Sequence, residues 1–157
     1  MTHINAQGQV RMVEVTQKSD TVREAAAQGF VKLSKKVLDL IKTNKMKKGN
    51  PLEAARIAGI MGAKKTHELI PLCHPLLLTN VEVDLNLTPE GIEINSRVVC
   101  VGKTGVEMEA LTAASIAALT LYDMCKAVDK EIVISNIYLV KKSGGRSGTF
   151  VNPKSGS

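Results

Sequence analysis

Length and charge set the first limits: 157 residues suit one globular domain with a real core and leave no room for two large ones. Hydrophobic residues at 44% and charged residues at 23% exclude a disordered chain, and no apolar stretch reaches the ~18 residues of a membrane span. A formal net charge of +6 favours an anionic partner, while an aromatic content of 3% without tryptophan leaves few platforms for stacking bases, so a small phosphorylated ligand is favoured over single-stranded nucleic acid.

Met1 to Val10 is polar and lacks the basic and apolar halves of a signal peptide. Cys73, Cys100 and Cys125 form neither a disulfide framework nor a CxxC site, so reduced thiols in the cytoplasm are expected. Met12 to Val15 predicts a short strand, and Thr21 to Leu33 is open between helix and strand. Val37, Leu38 and Ile41 follow helical spacing behind Ser34 as an N-cap. The next start signal is sharper: Asn50 caps, Pro51 suits the first helical position and Glu53 completes a box-like spacing, predicting a helix from Pro51 to Lys65. Two prolines make Ile70 to Pro75 a rigid turn. Val81, Val83, Leu85 and Leu87 alternate with polar residues as in a half-buried strand, Thr88 to Gly91 turns the chain, and Ile92, Ile94, Val98 and Cys100 return it as a hairpin. The longest helix is expected from Val106 to Asp129, with Ala110, Ala113, Ala114 and Ala117 as a smooth packing face. Ile132 to Leu139 forms a last strand with a bulge at Ser135-Asn136, and the Gly- and Ser-rich end predicts a flexible tail over 149–157 behind a single domain over 1–148. The sum is an α+β fold, helices on one face of an antiparallel sheet.

Several stretches invite a chemical reading. Gly102-Lys103-Thr104 imitates the end of a phosphate-binding P-loop, but Arg97 stands where that motif needs glycine, so the match is rejected. Lys47 to Asn50 precedes a helix N-terminus, where free N–H groups attract phosphate; a solvated basic turn is the plain alternative. Lys141 to Gly148 joins three cations to glycines that let a backbone approach oxyanions, against a merely flexible basic loop. Cys73-His74 lacks metal-ligand spacing, so no metal is expected; His74 reads as a hydrogen-bonding or acid–base group, or as a structural histidine. Asp123 and Lys126 lie one turn apart at the edge of an apolar run, either as a surface pair or as groups with shifted proton affinities.

Longer motifs then align with a known family. Ala55 to Ile60, Leu69 to Leu76, Thr104 to Ala113 and Tyr122 to Ala127 resemble the cyclic pyranopterin monophosphate synthase family, also called molybdenum cofactor biosynthesis protein C, and the likeness runs from Thr2 to Gly148. The resemblance implies a ferredoxin-like fold and a lyase that converts 3',8-cyclo-7,8-dihydroguanosine 5'-triphosphate into cyclic pyranopterin monophosphate and diphosphate. It implies a hexamer, a trimer of dimers, with active sites at dimer interfaces, no cofactor, and magnesium with the triphosphate left open. By motif match Asp123 is catalytic, and Lys48 and Lys126 are the proton-moving lysines. Leu72, Cys73, His74, Met108 and Glu109 match substrate-binding segments, with Glu107, Arg23 and Lys142 as further pocket residues. Three positions depart from the commonest pattern: Glu14 stands for aspartate, Asn50 for aspartate and Arg146 for lysine.

Rearranging a cyclised nucleotide needs proton transfer at ring atoms, and a lysine whose proton affinity is lowered by cations can act as base and acid; Lys48 near Lys142 and Arg23 is expected to be one. Lys48 and Lys142 are also expected to hold the triphosphate. Glu109 and Asp123 lie fourteen residues apart on one predicted helix, about 21 Å, so a two-fold interface is expected to bring Glu109 of one subunit beside Asp123 of the other. The alternative class, a basic α+β nucleic-acid-binding module, rests on the +6 charge and predicts affinity that rises with polymer length and falls steeply with salt.

Overall fold

Strand β1 (Thr21–Lys32) occupies an inner position of a five-stranded antiparallel sheet of order β2-β3-β1-β4-β5, in which β2 is Leu78–Leu87, β3 Gly91–Gly102, β4 Val133–Ser143 and β5 Phe150–Val151. The computed structural model describes residues 3–156; Met1 and Thr2 of the polar N-terminus, and Ser157 at the end of the tail, lie outside the described residues. Helices α1 (Lys35–Lys42), α2 (Pro51–Lys64), α3 (Thr66–Leu69) and α4 (Glu107–Cys125) complete the chain. With α2 and α4 as the crossovers, β1 to β4 follow the β-α-β-β-α-β order of a ferredoxin-like fold. The open segment Thr21 to Leu33 is therefore a strand, with Ala25, Ala27 and Val31 on the buried side.

The core lies between that side of the sheet and α4, whose Ala110, Ala113, Ala114, Ala117, Ala118 and Leu121 are all fully buried. Buried Ser96 ties the layers together, donating its hydroxyl to Ala110 O at 2.7 Å. On α2 the buried stripe consists of Ala55, Gly59, Gly62 and Ala63, while the larger Ile57 and Met61 remain exposed. Close approach explains the choice: a Cβ at Gly59 would stand 2.9 Å from Ala113 O, so only glycine lets α2 rest on α4 there. The outer face of the sheet carries the ion pairs of Arg97 with Glu24 and Glu82, at 2.8 and 3.3 Å.

Asn50 caps α2 as its sequence predicts, accepting from the Leu52 and Glu53 amides at 3.0 and 3.3 Å. The hairpin of β2 and β3 and the bulge near Ser135-Asn136 also form, the latter with Asn136 at φ 52° and a register shift against Gln28 to Phe30.

Four expectations change. Met12 to Val15 is irregular, since among the described residues no strand lies beside it to complete a ladder; an isolated bridge joins Ile4 to Val10 instead. Ser34 precedes α1 without a side-chain cap, and its amide donates to Asp129 Oδ2 at 2.8 Å. That contact also stops α4 four residues early, because the buried Asp129 turns inward to accept from both Ser34 and Glu131. Lastly, the stretch read as a loose tail pairs Phe150 and Val151 with β4, and Asn152 N donates to Val140 O at 2.8 Å. An unpaired sheet edge outweighs local composition there.

Candidate active site

The N-terminal end of α4 gathers most of the expected pocket. Gly105 has no Cβ, which leaves room for the Glu107 carboxylate to fold back beside the helix start. Glu107 Oε1 stands 3.4 Å from Lys142 Nζ, and Lys142 donates to Ser147 Oγ at 2.8 Å. From β1, Arg23 donates to the carbonyls of Gly102 and Lys103 at 3.4 Å each. Gly145, at φ 73°, passes against the Arg23 guanidinium where any side chain would collide with it, so the glycine-rich loop wraps this cation. Arg23, Lys142, Lys18, Lys103 and Glu107 wall a cleft of about 210 Å³. A cavity of about 290 Å³ adjoins it, lined by Leu72, Cys73, His74, Met108 and Glu109 beneath Val13 and Val15. Glu107, Thr104, Gly105 and Lys18 belong to both.

Glu109 is the most perturbed group in that cavity and only 4% exposed. Burial pushes its carboxyl up to about 7; its own backbone amide opposes the change and the charge of Glu107 adds to it. The Cys73 thiol is raised by burial and then by Glu109. His74 Nε2 lies 2.9 Å from Val13 O, and because a carbonyl only accepts, Nε2 carries the proton. Among the described residues no three His, Cys, Asp or Glu side chains gather as a metal site.

The other three expected residues meet at the opposite end of α4. Asp123 Oδ1 stands 2.7 Å from Lys126 Nζ, and its Oδ2 lies 3.3 Å from Lys48 Nζ, which also donates to Asp123 O at 3.0 Å. The Lys126 hydrogen bond, then that of Lys48, holds the Asp123 carboxyl below its ordinary range, while Asp123 raises Lys126. Both shifts favour the charged forms.

These placements correct the expected neighbourhood of Lys48. Its loop packs on the C-terminal end of α4, whereas Lys142 and Arg23 lie at the N-terminal end, so one chain does not bring the three together. Lys48 and Lys142 of one chain therefore cannot grip one triphosphate. The helix-terminus anion site before α2 is corrected too: Asn50 occupies the Leu52 and Glu53 amides, and Lys48 turns to Asp123. Leu72, Cys73, His74, Met108, Glu109, Glu107, Arg23 and Lys142 do share adjoining cavities.

Sequence reasoning passed over Lys18, Val13 and Val15. Lys18 borders three hollows, including one of about 530 Å³ toward Arg146. A lone lysine in a polar loop carries no spacing signal; the alternation of Val13 and Val15 was visible, but it marks a cavity wall and not a strand. Exposed Glu14 lies between them and lines none of these hollows, so its extra methylene does not reach the cavity.

Fold and cavities define a ferredoxin-like α+β protein with a cation-walled pocket around a buried carboxyl. The chain belongs to the MoaC family, whose sequence profile matches residues 12–145. It is 56% identical over 154 residues to the curated cyclic pyranopterin monophosphate synthase of Roseiflexus sp. (strain RS-1), covering 97% of this chain and 98% of that protein.

Proposed function

We infer that the protein is a lyase of molybdenum cofactor biosynthesis that forms cyclic pyranopterin monophosphate, as its family and its 56% identical relative support. The substrate is the cyclised guanosine triphosphate. The observation that carries the site-level reading is the division of the matched residues between the two ends of α4: a cavity with Glu109 and surrounding cations at one, Lys48, Asp123 and Lys126 at the other. Two copies related by a two-fold axis join these halves into complete sites, and three such pairs make the cytoplasmic hexamer. Exposed Ile57, Met61, Leu69 and Leu119 on the helical side support such burial between copies.

In a completed site Glu109 and the lysines of the partner subunit exchange protons with the ring as it opens and rebuilds. A ribose-derived hydroxyl attacks the innermost phosphate as a neutral lysine takes its proton; the oxygen bonds to phosphorus, the bond from that phosphorus to the bridging oxygen breaks, and diphosphate leaves with its electron pair. Arg23, Lys142 and Lys18 neutralise that leaving group. The protein supplies no cofactor; magnesium accompanying the triphosphate would be part of the substrate.

The test is release of diphosphate from the cyclised substrate by the purified protein. Turnover that a nucleoside triphosphate inhibits at micromolar concentration, with long RNA no better a competitor than short RNA, supports this reading. Affinity that grows with polymer length in the absence of turnover rejects it in favour of a nucleic-acid-binding module.

A further inference from the structure

Gly102-Lys103-Thr104 fails as a phosphate loop, and Lys103 borders the cleft beside Arg23 and Lys142. Its ammonium lies where the roof of the cavity meets the floor. Residues 12–18 cross that cavity without ladder bonds, and Val13, Val15 and Lys18 of this strap line it. An exposed segment of this kind opens easily unless side chains tie it down. His74 does so at Val13 O, and Lys103 Nζ donates to Thr16 O at 2.9 Å. Among the described residues, the Lys103 bond is the only hydrogen bond from residues 14–20 to the rest of the protein. Lys103 is anchored in turn, because Arg23 holds the Gly102 and Lys103 carbonyls and Gly102 pairs with Thr21 in the ladder. The chain from catalytic floor to strap is thus Arg23, the Lys103 backbone, the Lys103 ammonium, then Thr16.

We propose that Lys103 is a positioning residue that latches the strap, holding Val15 and Lys18 in place over the substrate. This rests on reading the cavity as the substrate site. Without the donor, the Thr16 carbonyl turns to water and only a fraction of molecules carries a closed roof, so apparent affinity falls by that fraction. Once substrate is bound the strap is closed again and the chemical step is unchanged, so KM rises while kcat stands.

The experiment compares Lys103→Met and Lys103→Arg with the wild-type protein by two readouts: diphosphate release from the cyclised substrate, and hydrogen exchange of the residue 14–18 amides without substrate. For K103M we expect KM raised about tenfold with kcat within threefold, faster exchange confined to the strap, and unchanged exchange in α4. K103R, which keeps a donor, returns both readouts to within threefold of wild type. The KM ratio should be the same at about 50 and about 500 mM salt, since a short contact to a neutral carbonyl is little screened. Unchanged strap exchange in K103M, a fall in kcat at constant KM, a KM ratio that collapses at high salt, or an arginine variant as impaired as methionine would each overturn the latch. A wild-type protein that releases no diphosphate would instead refute the site reading, and the exchange comparison would still judge the latch by itself.

Discussion

Glu109 and Asp123 are two carboxyls of one helix that their surroundings drive apart. Burial holds Glu109 near a proton affinity of about 7, poised to give or take a proton near neutrality. Asp123 is kept ionised by Lys126 and Lys48 in the open. Such divergence separates a proton-transferring group from a fixed charge that orients and balances its neighbours. Glu109→Gln and Asp123→Ala proteins should each lose about 10²- to 10⁴-fold in diphosphate release while far-ultraviolet circular dichroism stays that of wild type. A variant that keeps activity within threefold removes its residue from the chemistry. Both carboxyls were marked from the chain by motif, but their opposite behaviour was not legible there. It depends on which end of α4 the sheet and the strap cover.

At the level of elements, the start of α2 was readable because capping is local: Asn50, Pro51 and Glu53 act within one turn. The end of α4 was not, because Asp129 takes its partner, the Ser34 amide, from 95 residues away. Burial works to raise the Asp129 carboxyl, but hydrogen bonds from Ser34 and Glu131 outweigh it and the net shift is downward. A carboxyl lowered in the native state stabilises the fold above its unfolded value near ~3.9, and that gain is lost as pH falls through the native value. Asp129→Ala should therefore cost about 2 kcal/mol at neutral pH. Urea unfolding should show the difference from wild type shrinking at about pH 3; a gap independent of pH would mean that packing, and not the ionised acceptor, holds the two helices together.

The whole molecule poses the question of whether residues about 21 Å apart serve one reaction. If the sites are shared, co-expressed Glu109→Ala and Asp123→Ala chains, each inactive alone, should regain about one quarter of wild-type activity, since half of random dimers are mixed and half of their sites are intact. Tag-separated mixed oligomers with no recovery would exclude the arrangement. The charge of Glu109 offers a second check. In a shared site, Lys48 and Lys126 of the partner subunit, balanced by Asp123, would add positive charge beside Glu109 and lower its midpoint. Carbon-13 titration of Glu109 should then give a higher midpoint in a Lys48→Ala/Lys126→Ala assembly than in wild type. Equal midpoints would place those lysines no nearer than their own chain puts them.

Periodicity and punctuation in the chain were enough for the hairpin, the alanine face of α4, the cap of α2 and the bulge in β4, because each follows from residues within a few positions of one another. The long motifs carried the family and named candidate residues for its site. Tertiary structure decided the rest. It made Thr21–Lys32 an inner strand by flanking it with β3 and β4, and among the described residues it gave Met12 to Val15 no strand partner. It turned Lys48 toward Asp123 and away from Lys142, and gave Lys103 a carbonyl on the strap. Side-chain chemistry is written residue by residue, but the burial and the neighbours that set its charge come from parts of the chain that meet only when it folds.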